Sequence, residues 1–213
     1  MEQCYLCGSQ KRLTREHVPP KGLFLKPRPS NLVTVPCCFP CNNGYAKDDE
    51  YFRLAVSSLI NANQSGKRVW KQRVVQSTLS ANRIKGLVDE IRKDIRPAIL
   101  STPSGDVYGT AISIRADIIS SVLARVTKGL LSIVHPEVDR NSLAFEITQI
   151  DQFKLNSIVA SGVADAFTHY VVGEGVYRHW RALSAEDTHF GIWVHMFYDA
   201  ATWVLRHERK KNV

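Results

Sequence analysis

Two Cys-x-x-Cys pairs constrain this chain more than any other feature. Cys4-Tyr5-Leu6-Cys7 and Cys38-Phe39-Pro40-Cys41 place four thiols at the two ends of one short stretch, and Cys37 is the fifth. The remaining residues, from 42 to 213, hold no cysteine. Paired spacing of this kind in a reducing compartment points to metal or redox chemistry rather than to disulfides. A thioredoxin-like motif needs one pair, whereas two pairs supply the four thiolates of a structural Zn²⁺. Cys38 has the spacing to Cys41, which leaves Cys37 as a packed thiol. Gly8 follows the first pair, as a tight turn after the second thiolate requires.

The order of elements around those pairs is knuckle, strand, loop, strand, knuckle, helix. Leu13 to Val18 reads as a short strand stopped by Pro19-Pro20, and Asn31 to Val35 as a second strand ended by Pro36. After Asn42-Asn43-Gly44 a helix is expected, with Asp48, Asp49 and Glu50 in its first turn, where acids suit the helix dipole. Tyr51, Phe52, Ala55, Val56, Leu59 and Ile60 continue it at helical spacing. A unit of about 50 residues is marginal without a staple, so metal binding would supply much of its folding energy.

Residues 67–213 read as a mixed α+β domain, with 1–66 as the smaller zinc-bound unit. A basic amphipathic helix is expected over 77–96, ended by Pro97, and a strand over 107–114. Ala116 to Val134 carries the strongest helical pattern, with Ile118, Ile119, Val122, Leu123, Val126, Leu130, Leu131 and Val134 on one broad apolar face. Further strands are expected at 142–150, 168–172, 177–183, 190–198 and 202–206, with a short helix over 153–160. No run reaches the roughly 18 apolar residues of a membrane span, and the amino terminus lacks the layout of a secretion signal. A cytoplasmic protein without membrane contact is the expectation.

The chain has 28 Lys and Arg against 20 Asp and Glu, a formal charge of +8. Seven basic and two acidic side chains lie in residues 1–47. A polyanion partner is the natural reading, because counterion release drives such binding, and solubility charge is the bland one. Arg15, Lys21 and Lys47 are the candidate phosphate contacts near the motif. Residues 67–213 would supply specificity or a contact to a second copy or a partner protein. No nucleophile motif, phosphate loop or carboxylate pair is legible in residues 100–213.

Hydrolysis of a phosphodiester needs a group that activates water and a cation that neutralises charge. Glu16-His17 on a strand and Asn42 at a helix start offer a base and two ligands. Taken alone, His17 reads rather as a hydrogen-bonded structural histidine or as a zinc ligand in place of one thiolate, and Glu16 before it with both cysteine pairs around it turns the reading to a base. Asn42 also suits a helix cap, and Asn31 a turn.

The combined pattern Cys4-x2-Cys7, Glu16-His17-Val18-Pro19-Pro20-Lys21, Asn31-Leu32-Val33 and Cys38-x2-Cys41-Asn42 resembles the zinc-bound HNH endonucleases of the ββα-metal, treble-clef-like type, over residues 4–55. The resemblance implies His17 as general base, and Glu16 and Asn42 as ligands of a catalytic Mg²⁺ or Mn²⁺. It implies Asn31 as the brace of the inter-strand loop, and Cys4, Cys7, Cys38 and Cys41 as ligands of a structural Zn²⁺. The position before the base is Glu here, where Asp or His is frequent, and Asp48, Asp49 and Glu50 are near enough in sequence to join the metal shell. The expected activity is metal-dependent hydrolysis of nucleic acid, DNA over RNA, with phage defence as one setting. The alternative is a non-catalytic zinc module that binds nucleic acid or protein, for which a base beside a ligand has no use.

Overall fold

A computed structural model describes residues 2–76, 95–102, 105–161 and 166–211. The chain begins with a two-stranded antiparallel hairpin, β1 (Leu13–Val18) and β2 (Val33–Cys38). Helix α1 (Phe39–Gly44) follows without a gap, and Tyr45 separates it from α2 (Ala46–Ser57). Pro40 opens α1, where its missing N–H costs nothing. Pro36 lies inside β2, opposite Arg15, rather than ending it. A two-stranded ribbon has an open edge on each strand, which tolerates a residue that cannot donate.

Helix α3 (Gln64–Val69) widens into one π-type turn over Trp70–Val75. Strands β3 (Ile95–Thr102) and β4 (Gly105–Ile112) form a second two-stranded ribbon. The basic helix expected over 77–96 lies outside the described residues, apart from Ile95 and Arg96, which open β3. Pro97 pairs with Thr110 within that ribbon.

Helix α4 (Ala116–Val134) has the bounds its apolar period predicts. Beyond it come β5 (Leu143–Ile150), α5 (Gln152–Ala160), β6 (Thr168–Val172), β7 (Tyr177–Leu183), β8 (Gly191–Phe197) and β9 (Ala201–Arg209). These strands make one antiparallel sheet in the order β5-β9-β8-β7-β6.

Alternation divides the sheet into two faces. Tyr177, Trp193, Phe197 and Leu205 join the large core that also holds Val122, Leu123 and Leu131 of α4. Val194 and Met196 face the other way and pack with Leu155 and Ile158 of α5. The large core continues into Cys4, Tyr5, Val18, Leu23, Phe24 and Phe52, so the cysteine-pair unit and the sheet share one interior. The boundary expected at 66/67 falls inside α3.

Two features clamp the unit onto the sheet. At Gly129 of α4 an added Cβ would sit 2.7 Å from Cγ2 of Val18, so helix and hairpin touch where only hydrogen fits between them. In the turn between β8 and β9, buried Tyr198 (φ +53°) donates from its hydroxyl to the carbonyl of Leu23 at 2.7 Å. Beside it, the Asn63 amide donates to Gly175 O and to Asp199 Oδ2, each at 2.7 Å.

Candidate functional site

The Sγ atoms of Cys4, Cys7, Cys38 and Cys41 all lie within 4.8 Å of one another. A tetrahedral ion with Zn–S bonds of 2.3 Å separates its sulfurs by about 3.8 Å, and Cys7 Sγ to Cys38 Sγ is 3.6 Å. The local fold builds the site from two tight turns. Gly8, at φ +73°, donates its N–H to Cys4 O, and β2 delivers Cys38 at the mouth of α1. Four soft thiol donors at this spacing fit a metal ion such as zinc. Cys37 is fully buried and lies outside the group, because alternation along β2 turns it inward with Val35.

Strand β1 pairs with β2 residue for residue, so its side chains alternate strictly. Thr14, Glu16 and Val18 share the face that meets the helices, while Arg15 and His17 share the opposite one. Asn42 reaches the first face: its amide donates to Thr14 Oγ1 at 2.8 Å, and Thr14 in turn donates to Cys37 O at 2.8 Å.

Glu16 is 8 % exposed and pairs with Arg125 of α4 at 3.2 Å. Arg125, 5 % exposed, also pairs with Asp49 of α2, and its guanidinium lies 4.4 Å above the Tyr45 ring. One buried cation thus ties together the hairpin, the α1–α2 junction and α4. Burial pushes both carboxyls up from their usual range, against the Cys37 thiol and then the guanidinium at Glu16, and against the guanidinium at Asp49. Glu16 Oε2 and Arg125 Nε are buried and make no hydrogen bond of regular geometry among the described residues. The neighbouring acids are engaged as well. Asp48 accepts from Ser121, and Glu50 pairs with Arg53 at 3.2 Å.

His17 is half-buried on the other face. Burial first, then the nearby charges of Lys21 and Arg28, hold its pKa below the ordinary histidine value. The imidazole is therefore neutral at pH 7, the state a general base needs. Arg28 is the residue of this cluster that spacing alone does not single out, since it sits in a loop with no period. Asn31 does not turn to His17 with its amide, which donates to Val171 O of β6 at 2.8 Å. Arg15 pairs with Glu2 at 3.2 Å on the surface, and Lys47 is exposed on α2.

The residues expected to hold a catalytic divalent ion do not fit one as they stand. A hard cation wants several accessible oxygens, whereas one Glu16 oxygen is taken by Arg125 and the other is shut off from solvent. Asn42 lies on the Glu16 face, away from His17. Deeper in the fold, His195 is enclosed between Thr127 Oγ1 at 2.9 Å and the Tyr177 hydroxyl at 2.7 Å. It is a core residue with both nitrogens satisfied. Among the described residues, no helix is long and apolar enough to cross a membrane. No protein-family model, curated protein or solved structure matches the chain.

Proposed function

We propose that this protein is an endonuclease of the HNH, ββα-metal type, which hydrolyses phosphodiester bonds in nucleic acid, DNA in preference to RNA. The observation that carries the reading is a half-exposed His17, its pKa held down by burial and by the charges of Lys21 and Arg28, on a hairpin whose ends meet at four clustered thiols. Zn²⁺ at Cys4, Cys7, Cys38 and Cys41 is the scaffold. His17 takes a proton from the attacking water, and Lys21 and Arg28 hold the phosphate and oppose its growing charge. A divalent ion, Mg²⁺ or Mn²⁺, supplies charge neutralisation in nucleases of this type. Glu16 is committed elsewhere, so no step here runs through it.

The test is conversion of supercoiled plasmid to nicked and linear forms by the zinc-loaded protein, with Mg²⁺, with Mn²⁺ and with neither. His17→Ala should abolish cleavage. Equal cleavage by wild type and His17→Ala would sink the mechanism.

The commitment of Glu16 to Arg125 favours a second reading, a zinc module that binds nucleic acid without cutting it. Wild-type binding to a DNA duplex that weakens steeply with salt, with no cleavage under any metal, would select it.

A further inference from the structure

The three-way junction of Glu16, Arg125 and Asp49 buries Glu16 and Arg125 almost completely, and the hydrolysis proposed above does not use it. We propose that Arg125 is a built-in cation that occupies the slot between the two carboxylates, so that no exchangeable divalent ion binds through Glu16. The inference builds on the nuclease reading, because it says which of that unit's acidic positions has left the ligand set.

Three observations converge on it. The guanidinium comes from α4, which is remote in sequence from both acids, and it reaches each of them from one buried position. A forked, always-charged group suits two carboxylates better than a lysine would, and the Tyr45 ring under it supports the same plane. The slot also keeps unused capacity. Glu16 Oε2 makes no hydrogen bond of regular geometry and has no solvent contact, and only the neutral Cys37 thiol and Tyr5 hydroxyl adjoin its carboxyl, so it has an oxygen to offer an ion once the guanidinium is gone. The neutralisation that a bound ion would bring is covalently fixed on α4.

The experiment is titration of zinc-loaded full-length protein with Mn²⁺, read by electron paramagnetic resonance and by thermal midpoint. Mn²⁺ is a hard ion that leaves the thiolate site to zinc, and zinc content is checked in each variant. Wild type should show no saturable Mn²⁺ binding that depends on Glu16. Arg125→Ala strands the buried Glu16 and the partly exposed Asp49, so its midpoint should fall by roughly 10 °C. Mn²⁺ should restore part of that loss, and the restoration should vanish in Arg125→Ala with Glu16→Gln. One Mn²⁺ bound by wild type and lost in Glu16→Gln would overturn the proposal.

Should Arg125→Ala fail to fold, wild type against Glu16→Gln decides the question alone. Absence of plasmid cleavage would end the nuclease reading but leave this result standing. Cleavage that needs His17, together with Mn²⁺ lost in Glu16→Gln, would do the reverse.

Discussion

Replacing His179 by phenylalanine tests whether the buried face of the sheet holds a histidine that cannot take a proton. His179 is 3 % exposed, lies between the rings of Tyr170 and Tyr177, and has no partner for either ring nitrogen among the described residues. Burial, then the charge of Arg181 and the ring of His169, lowers its pKa from 6.5 to about 3. The folded value is below the unfolded one, so on acidification the unfolded chain binds the proton first. Stability is therefore full at neutral pH and is lost as pH falls from about 6.5 towards 3. Between pH 7 and pH 5 the loss from this one group is about 2 kcal/mol.

Phenylalanine removes that loss, and it also removes two desolvated nitrogens, worth about 1 kcal/mol after repacking. The larger ring has room, since a cavity of about 310 Å³ borders the site between Leu130, Val134, Val18 and Val33. His179→Phe should thus be more stable than wild type by about 1 kcal/mol at pH 7 and about 3 kcal/mol at pH 5. Urea unfolding followed by tryptophan fluorescence, with zinc present at both pH values, measures the difference, and the pH dependence of the zinc site cancels between the two proteins. Parallel losses in variant and wild type from pH 7 to pH 5 would refute the argument.

Two other outcomes follow from the packing. In Gly129→Ala the helix gains about 1 kcal/mol of propensity, but the new methyl meets the stiff Val18 side chain at 2.7 Å. A net loss of about 1–2 kcal/mol is expected from overpacking, and Val18→Ala in the same chain should recover part of it in urea midpoints. Removal of zinc by a chelator, or Cys38→Ser, should disturb Trp193 and Trp203 fluorescence as well as the amino-terminal unit, because both tryptophans belong to the core that contains Cys4 and Cys38. Fluorescence that stays native while zinc leaves would show the two parts to be independent.

The cysteine spacing, the apolar stripe of α4 and the apolar runs of β6 to β8 could be read because each is local in sequence. The thiol cluster and the sheet strands stand where those patterns place them. Strand β3 is not local in this sense. Its Pro97 reads as a stop, and only pairing with β4 makes it a strand. The same applies to Pro36 in β2.

The setting of Glu16 was out of reach for a different reason, since its partner lies 109 residues away on a helix whose period says which face is buried but not what the face meets. One signal was there to be used. Arg125 sits beside Val122, Val126 and Gly129 on the inward side of α4, and a charge in such a place needs a buried counter-charge. Asn31 shows the limit from the other side: a position in a motif did not foretell that its amide would hold a strand of the far sheet.

The Tyr198 hydroxyl reaches back across 175 residues of sequence to the carbonyl of Leu23. During synthesis, the thiol cluster leaves the ribosome long before that tyrosine does. Zinc can then close the early loop while its hydrophobic side still waits for β8 and β9. Contacts of such long range make folding slow, because loop closure precedes the gain from packing. In that interval a metal held by the four thiols would fix the amino-terminal turns, and the last hairpin of the chain completes the core around them.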